Sequence, residues 1–187
     1  LFFEFHGSTA TVQECAELAG EITHAWGGSD FQWAVDTAAR NALWKARHNA
    51  YFAGLAFRPG SRSLTTDVCV PISRLADCII ETKHDLRESF LTAPIVGHVG
   101  DGNFHLMFLV DPTRPEDMAE AERLNRRLVE RALALGGTIT GEHGVGLGKM
   151  KFMEAEHGQG ALAVMHAIKH AIDPQNLMNP GKMLPPI

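Results

Sequence analysis

The chain has little cysteine, and what it has is scattered. Cys15, Cys69 and Cys78 are odd in number and form no CxxC pair. They predict neither a disulfide framework nor a thiolate metal clip, and each reads as a small packed hydrophobe in a reducing compartment. A basic excess is also missing: the formal net charge over 187 residues is −5, which excludes the electrostatic footprint of a nucleic-acid binder. No apolar run reaches the roughly 20 residues of a membrane-spanning helix, and there is neither an internal repeat nor a low-complexity linker. Two phosphate-binding signatures fail as well. In "GEHGVGLGK" (141–149), Met150 follows Lys149 where a P-loop needs Ser or Thr, and His143 stands where it needs glycine. The even spacing of Gly144, Gly146 and Gly148 also breaks the dinucleotide fingerprint GxGxxG. The opening residues, "LFFEFHGS", carry neither a methionine nor a basic leader. They read as a strand arriving from upstream, so the chain is expected to be a fragment whose targeting segment could lie outside it.

What is present is enough apolar material, 45%, to bury a core of one or two domains. Leu1–Phe5 predicts a strand. Val12, Cys15, Ala19, Ile22 and Trp26 at helical spacing predict a helix stopped by Gly27-Gly28. A long helix is expected from about Phe31 to Phe52, with Arg40, Trp44, Arg47 and Tyr51 on one face. "SLTTDVCV" alternates: Leu64, Thr66, Val68 and Val70 point one way, Thr65, Asp67 and Cys69 the other. Pro71 ends that strand, and Ser73 is the expected N-cap of a helix to about Ser89. Ile95–His98 and Phe104–Val110 predict two more strands. Pro115, Glu116 and Asp117 open a helix that buries Ala121, Leu124, Leu128 and Leu135. Residues 138–140 read as a last strand, and the remainder as helix up to Pro174. From residue 63 the order strand, helix, strand, strand, helix, strand is the ferredoxin-like pattern. The expected class is α+β, an antiparallel sheet covered by helices.

The histidines, 10 in all, are the informative residues. "GHVGDGNFH" (97–105) places Asp101-Gly102 between apolar runs, a type I′ hairpin signal. With that pair at the tip, His98 faces His105, with Cβ atoms about 4.5–5.5 Å apart, close enough to converge on one metal ion. A plain hairpin with incidental histidines is the competing reading. Glu142 and His143 lie at a strand end among glycines that let a ligand approach. Adding Glu142 to the two histidines makes a three-ligand set with open positions, suited to a catalytic divalent metal. His143 beside it could serve as a base. A ferredoxin-like sheet puts the first strand between the hairpin and the last strand, about 10 Å of separation. Glu142 therefore reaches the histidines only by leaving the sheet edge, or if the strand order differs. His166 and His170 read as a solvated helix face, because Met165, Ile168 and Ile172 mark the opposite, buried side. His24, His84 and His157 read as surface residues. Arg47 could grip a carboxylate bidentately or simply stack on Trp44.

Together, "GHVGDGNFH", "TGEHGVGLGK", "DPQNLMNPGK", "LWKARHNA" and "TTDVCVPIS" resemble the C-terminal domain of FAD-linked oxidases of the vanillyl-alcohol oxidase type. Within that family the chain is most similar to the cytochrome-linked, mitochondrial D-lactate dehydrogenase branch, with the glycolate oxidase flavin subunit close behind. The resemblance implies that residues 1–187 are a substrate-binding cap domain whose partner, an N-terminal FAD-binding domain, is absent. It implies metal ligands His98, His105 and Glu142 for a divalent ion such as zinc or manganese, a base at His143 and a carboxylate-binding Arg47. Glu142, His143 and Asn179 would lie near the flavin. The implied reaction oxidises a small D-2-hydroxy acid and passes electrons to an acceptor such as cytochrome c or a quinone. It implies a mitochondrial location in a eukaryote, and a cytoplasmic or peripheral inner-membrane one in a bacterium. Relatives acting on D-2-hydroxyglutarate tend to carry Asn and Lys where this chain has Met107 and Thr65. Both differences remove polar partners for a second carboxylate, so D-lactate fits best and glycolate is the alternative. Two rivals remain open: a metal hydrolase using the same side chains, and a metal-free ferredoxin-like binding module.

Overall fold

The computed structural model describes residues 1–186, and the chain divides into two compact units, Leu1–Ala53 and Gly54–Ile187. In the first unit, α1 (Thr9–Ala25) is capped by Ser8, whose hydroxyl accepts from the Thr11 amide. α2 (Thr37–His48) begins later than expected, because the Asp36 carboxylate caps it through the Ala39 amide at 2.9 Å. It stops at Asn49, and a short α3 (Ala50–Leu55) follows, so the single helix expected over 31–52 is two helices preceded by non-helical chain. The strand expected at Leu1–Phe5 does not form. A strand needs a neighbour to take its amides and carbonyls, and among the described residues no segment pairs with it.

The second unit holds a four-stranded antiparallel sheet. β1 (Arg62–Thr65) and β2 (Val68–Cys69) pair with β4 (Asn103–Val110), and β3 (Ile95–His98) pairs with β4 as well. Arg62 opposes Val110 and Val68 opposes Phe104, one continuous register. β1 and β2 are therefore one strand, as the alternation predicts, interrupted at Thr66–Asp67. At the interruption Thr66 donates its amide to the Leu106 carbonyl. The Leu106 amide turns to the Thr66 hydroxyl at 2.9 Å and leaves the Thr66 carbonyl available. The expected last strand at 138–140 shrinks to one bridge, Cys69 to Thr138. The lateral order is thus Thr138, β1/β2, β4, β3, which is the ferredoxin-like order.

β4 is central and buried throughout. Phe104, Leu106, Phe108 and Val110 face α4 (Ile72–Arg87) and α5 (Pro115–Ala134), meeting Leu75, Cys78, Leu124 and Leu128 in one core. Each large side chain buried there contributes about 1.5–3 kcal/mol. The alternate residues Asn103, His105 and Met107 line the opposite face, with Asp67 and Thr65 beside them. α4 starts at Ile72 behind Pro71, not behind a Ser73 cap, and ends at Arg87. α6 (Met153–Ile172) is broken at Gly158. It packs through Leu162 and Met165 and leaves Ile168 and Ile172 exposed, contrary to the expected buried side. His166, expected in solvent, is half-buried and bonds the Pro185 carbonyl at 2.9 Å. Helical spacing finds an apolar stripe; the neighbours decide which part of it is covered. No helix among the described residues is long and apolar enough to cross a membrane.

The β3–β4 connection differs from the expected two-residue turn. Val99–Asp101 form a 3-10 turn closed by Gly102 at φ 77°. His98 then opposes Asn103, and His105 opposes Val96. The shift is two residues, so both histidines stay on one face, diagonal rather than opposed. A Cβ on Gly102 would sit 2.0 Å from the Val70 carbonyl oxygen. Gly102→Ala should therefore cost about 3 kcal/mol or more, whereas Gly100→Ala, where a Cβ meets nothing within 4 Å, should change stability by less than about 1 kcal/mol. Urea unfolding of both variants checks this.

α4 and α5 are clasped by Asp85, which accepts from Arg127 Nη2 at 2.7 Å and Arg131 Nη2 at 2.5 Å. Burial alone would raise the Asp85 pKa, but the two guanidiniums outweigh it and hold the value at about 2, below the ordinary 3.8. A carboxylate whose pKa falls on folding stabilises the fold above its unfolded value. That share is lost as pH drops from 3.8 towards 2. Asp85→Asn should flatten this part of the acid-unfolding curve, measured by circular dichroism between pH 5 and pH 2 (about the range such a shift spans).

Candidate active site

The site is built on the polar face of the sheet and closed by the segment after Thr138. His105, on β4, is buried; its Nδ1 lies 3.0 Å from the Thr66 carbonyl freed by the strand interruption. A carbonyl only accepts, so Nδ1 carries the hydrogen and Nε2 is the nitrogen that faces the site. Nε2 meets Glu142 Oε1 at 3.0 Å. His98, at the end of β3, brings its Nε2 to 3.5 Å from the same oxygen. His143 stacks on His105 with ring centroids 4.7 Å apart and 7° between planes, and its Nε2 lies 3.8 Å from Glu142 Oε1. His98, Glu142 and His143 are each about half-exposed, whereas His105 is 8% exposed. The cluster is open on one side only.

Glu142 leaves the sheet edge to reach the histidines, so the ferredoxin-like strand order and the site coexist. It is held by Asp67, a carboxylate with no exposed surface. Asp67 accepts from the amides of Glu142 (3.1 Å) and His143 (2.9 Å), the Thr140 hydroxyl (2.8 Å), Lys149 Nζ (2.8 Å) and the Asn103 amide (3.0 Å). Burial pushes its pKa up; the Lys149 ammonium, the His143 amide, the Thr140 hydroxyl and the Glu142 amide more than reverse that and keep it ionised far below the usual carboxylate range.

Two groups of side chains could hold a cation: His98, His105 and Glu142, or Asp67, His105 and His143. The donors already crowding Asp67 occupy its lone pairs, so the second group has no carboxylate oxygen to give. The first group fits. Atoms bound about 2.0–2.2 Å from one ion lie about 3.0–3.5 Å from each other, and the His–Glu distances are 3.0 and 3.5 Å. The His105 tautomer is compatible with this. With Nδ1 protonated, the Nε2 lone pair points at a carboxylate oxygen, and two acceptors at that distance need a shared hydrogen or a cation between them.

Arg47 lies on α2 in the first unit, where the Trp44 ring packs against Phe2 and His48 rather than under the guanidinium. Asn179 is exposed in the turn after α6, with φ 48°, outside the histidine cluster. The residues that sequence reasoning missed are Asp67, Lys149, Thr140 and Asn103. One signal was there: an aspartate within an apolar, β-branched strand, on the face of Thr65 and Cys69, is costly unless it has partners.

The fold is an α+β domain with a helix-covered antiparallel sheet whose polar face carries a cluster of three histidines and a glutamate. The chain belongs to the family of FAD linked oxidases, C-terminal domain, which matches residues 1–183. It is 52% identical over 184 residues to a probable mitochondrial D-lactate dehydrogenase of Danio rerio, covering 98% of this chain and 37% of the relative. It is 46% identical over 186 residues to the mitochondrial D-lactate dehydrogenase [cytochrome] of Arabidopsis thaliana, covering 100% and 33%. The glycolate oxidase subunit GlcD of Escherichia coli K12 is 34% identical over 186 residues, covering 99% and 37%. The chain thus spans about a third of the length of these relatives.

Gly141 is where the closing segment touches the sheet. A Cβ there would lie 1.8 Å from Asn103 Nδ2 and 3.0 Å from Asp67 Oδ1. Gly141→Ala should destabilise the domain by about 1–3 kcal/mol through overpacking. Gly148→Ala, where a Cβ meets nothing within 4 Å, is the control; comparing thermal unfolding of the pair tests the contact.

Proposed function

We propose that residues 1–187 are the substrate-binding cap of a flavin-dependent dehydrogenase that oxidises a small D-2-hydroxy acid, D-lactate best, to the 2-oxo acid. The observation that carries the proposal is the convergence of His98, His105 and Glu142 beside His143, in a chain whose relatives at 46% and 52% identity are named as D-lactate dehydrogenases. The FAD would be borne by a further domain of the same protein, consistent with the share of the relatives that the chain spans. The mitochondrial relatives support the same location for a eukaryotic parent, and the electron acceptor would be a cytochrome or quinone.

His98, His105 and Glu142 would hold a divalent cation, zinc or manganese. When bound, such an ion would supply Lewis acidity to the hydroxy acid, and a flavin would supply the redox chemistry. The protein's own part is positioning and proton transfer. His105 is locked in one tautomer by Thr66, so its Nε2 stays turned to the ligand site without reorganisation. His143 takes the hydroxyl proton on Nε2, which shares the Glu142 side of the cluster. Arg47 is assigned the grip on the substrate carboxylate on the strength of the family resemblance, holding C2 in line for hydride loss. Asn179 is assigned to the flavin on the same ground.

The substrate's small size is supported by a contact within the sheet. Thr65 and Met107 are direct cross-strand partners, and Met107 lies two residues along β4 from His105, on the same face. Met107 is buried with its thioether end against Gly54, so neither member of the pair brings a charge for a second carboxylate. A monocarboxylate such as D-lactate needs no such partner; a dicarboxylate does.

The test uses the full-length flavoprotein. With an electron-accepting dye, turnover is expected with D-lactate and should fall at least about tenfold with D-2-hydroxyglutarate, as an unpaired carboxylate demands. His98→Ala should lose both bound metal, read by elemental analysis, and turnover. Normal turnover in a metal-free His98→Ala protein would sink the metal role.

A further inference from the structure

We propose that Asp67 is a positioning residue of this site: it fixes Glu142 and His143 through their backbone amides, with the Lys149 ammonium as its internal counter-ion. The inference rests on the reading of the cluster as a metal and proton-transfer site, and it concerns residues that touch neither ion nor substrate in that reading.

Three observations carry it. Asp67 is wholly buried, and an ionised carboxylate is retained in such a place only when paired and hydrogen-bonded. Its partners come from both sides of the site. Asn103 belongs to β4, next to His105 in the alternation, while Thr140, Glu142, His143 and Lys149 all belong to the closing segment. The carboxylate is thus a rivet between the strand that carries one histidine and the segment that carries the carboxylate ligand and the base. Finally, the segment from Gly141 to Gly148 has no helix or strand of its own. Its other backbone bonds lie further along, from Lys149 to the Val145 carbonyl and from Met183 to the Gly146 carbonyl; at Glu142 and His143 themselves the amides are held by Asp67, which keeps the Glu142 carboxylate 3.0 Å from His105. Lys149 has a role the phosphate-loop spacing could not reveal. Its ammonium turns inward, to Asp67 Oδ2 and to the Asp67 carbonyl at 3.3 Å, and makes the buried charge tolerable.

A residue that acts through position must change geometry before it changes chemistry. Asp67→Asn keeps the shape, removes the charge that Lys149 answers and turns one acceptor into a donor. Thr140→Val removes one bond from the segment's side and keeps the charge pair. Each variant is made in the full-length protein, with two readouts. Amide hydrogen exchange, followed without metal, should speed up in the peptide covering 140–149 by about tenfold or more in Asp67→Asn and by less in Thr140→Val, with β3 and β4 unchanged. Affinity for Mn²⁺, read by competition with a chelator, should fall about 10- to 100-fold in Asp67→Asn and less in Thr140→Val. With metal saturating, kcat should fall more than KM rises, because His143 is displaced while the carboxylate grip is not.

If either variant, still folded, keeps wild-type protection in 140–149 and wild-type Mn²⁺ affinity, the positioning role is wrong. If protection is lost equally across β1–β4 in both variants, Asp67 is a general stabilising residue and the proposal also fails. Should Asp67→Asn not fold, Thr140→Val decides by the same criteria. A wild-type protein that binds no Mn²⁺ or Zn²⁺ would overturn the metal reading, while the exchange measurement still judges Asp67 on its own.

Discussion

The interruption of one sheet strand at Thr66–Asp67 is the constraint from which the site follows. A regular strand would spend both groups of Thr66 on its neighbour. Here the Leu106 amide bonds the Thr66 hydroxyl instead, and the carbonyl is released to orient His105. The next residue, Asp67, is left with a buried carboxylate and no ladder partner of its own, and it gathers the closing segment around itself. One unpaired step in the ladder thus sets a tautomer and anchors the loop that carries Glu142 and His143.

The two faces of β4 divide the labour. The even-numbered face makes the apolar core with α4 and α5, which supplies the rigidity on which ångström-level placement depends. Of the four side chains on the odd-numbered face, three have separate roles. Asn103 binds Asp67, His105 reaches Glu142 and Met107 packs against Gly54. The same alternation that buries one face delivers all three to the other. His98, Glu142 and His143 are half-exposed, so the cluster is reachable from outside this sheet.

Charge is handled by the same means in two places. Two of the strongly depressed carboxylates, Asp67 and Asp85, are held by cations from distant chain positions. Each joins elements that local bonding would leave apart: strand to loop in one case, helix to helix in the other. Breaking either pair would leave a charge stranded in a poor solvent, which is why such pairs enforce a particular arrangement more than they add net stability.

Local chemistry in the chain determined most of the elements. The α1 and α5 starts, the β3 and β4 segments and the ferredoxin-like order all follow from caps, prolines and alternation near the residues concerned. The grouping of His98, His105, Glu142 and His143 is legible too. The turn signal puts the hairpin register two residues off, yet an even shift keeps a side chain on its face, so the histidines still meet. Leu1–Phe5 has the pattern of a strand but lacks the neighbour that a strand requires, and the helix expected from residue 31 starts late because the Asp36 cap sits inside the apolar pattern. What only the tertiary structure decided is the burial of Asp67 and the inward turn of Lys149. Lys149 looks like an ordinary polar residue in its own surroundings, the strand around Asp67 signals only that partners must exist, and their energies are set by partners 82 residues apart in the chain. A pattern with a period of two or of 3.6 carries information about faces; it carries none about which distant loop will fold over them.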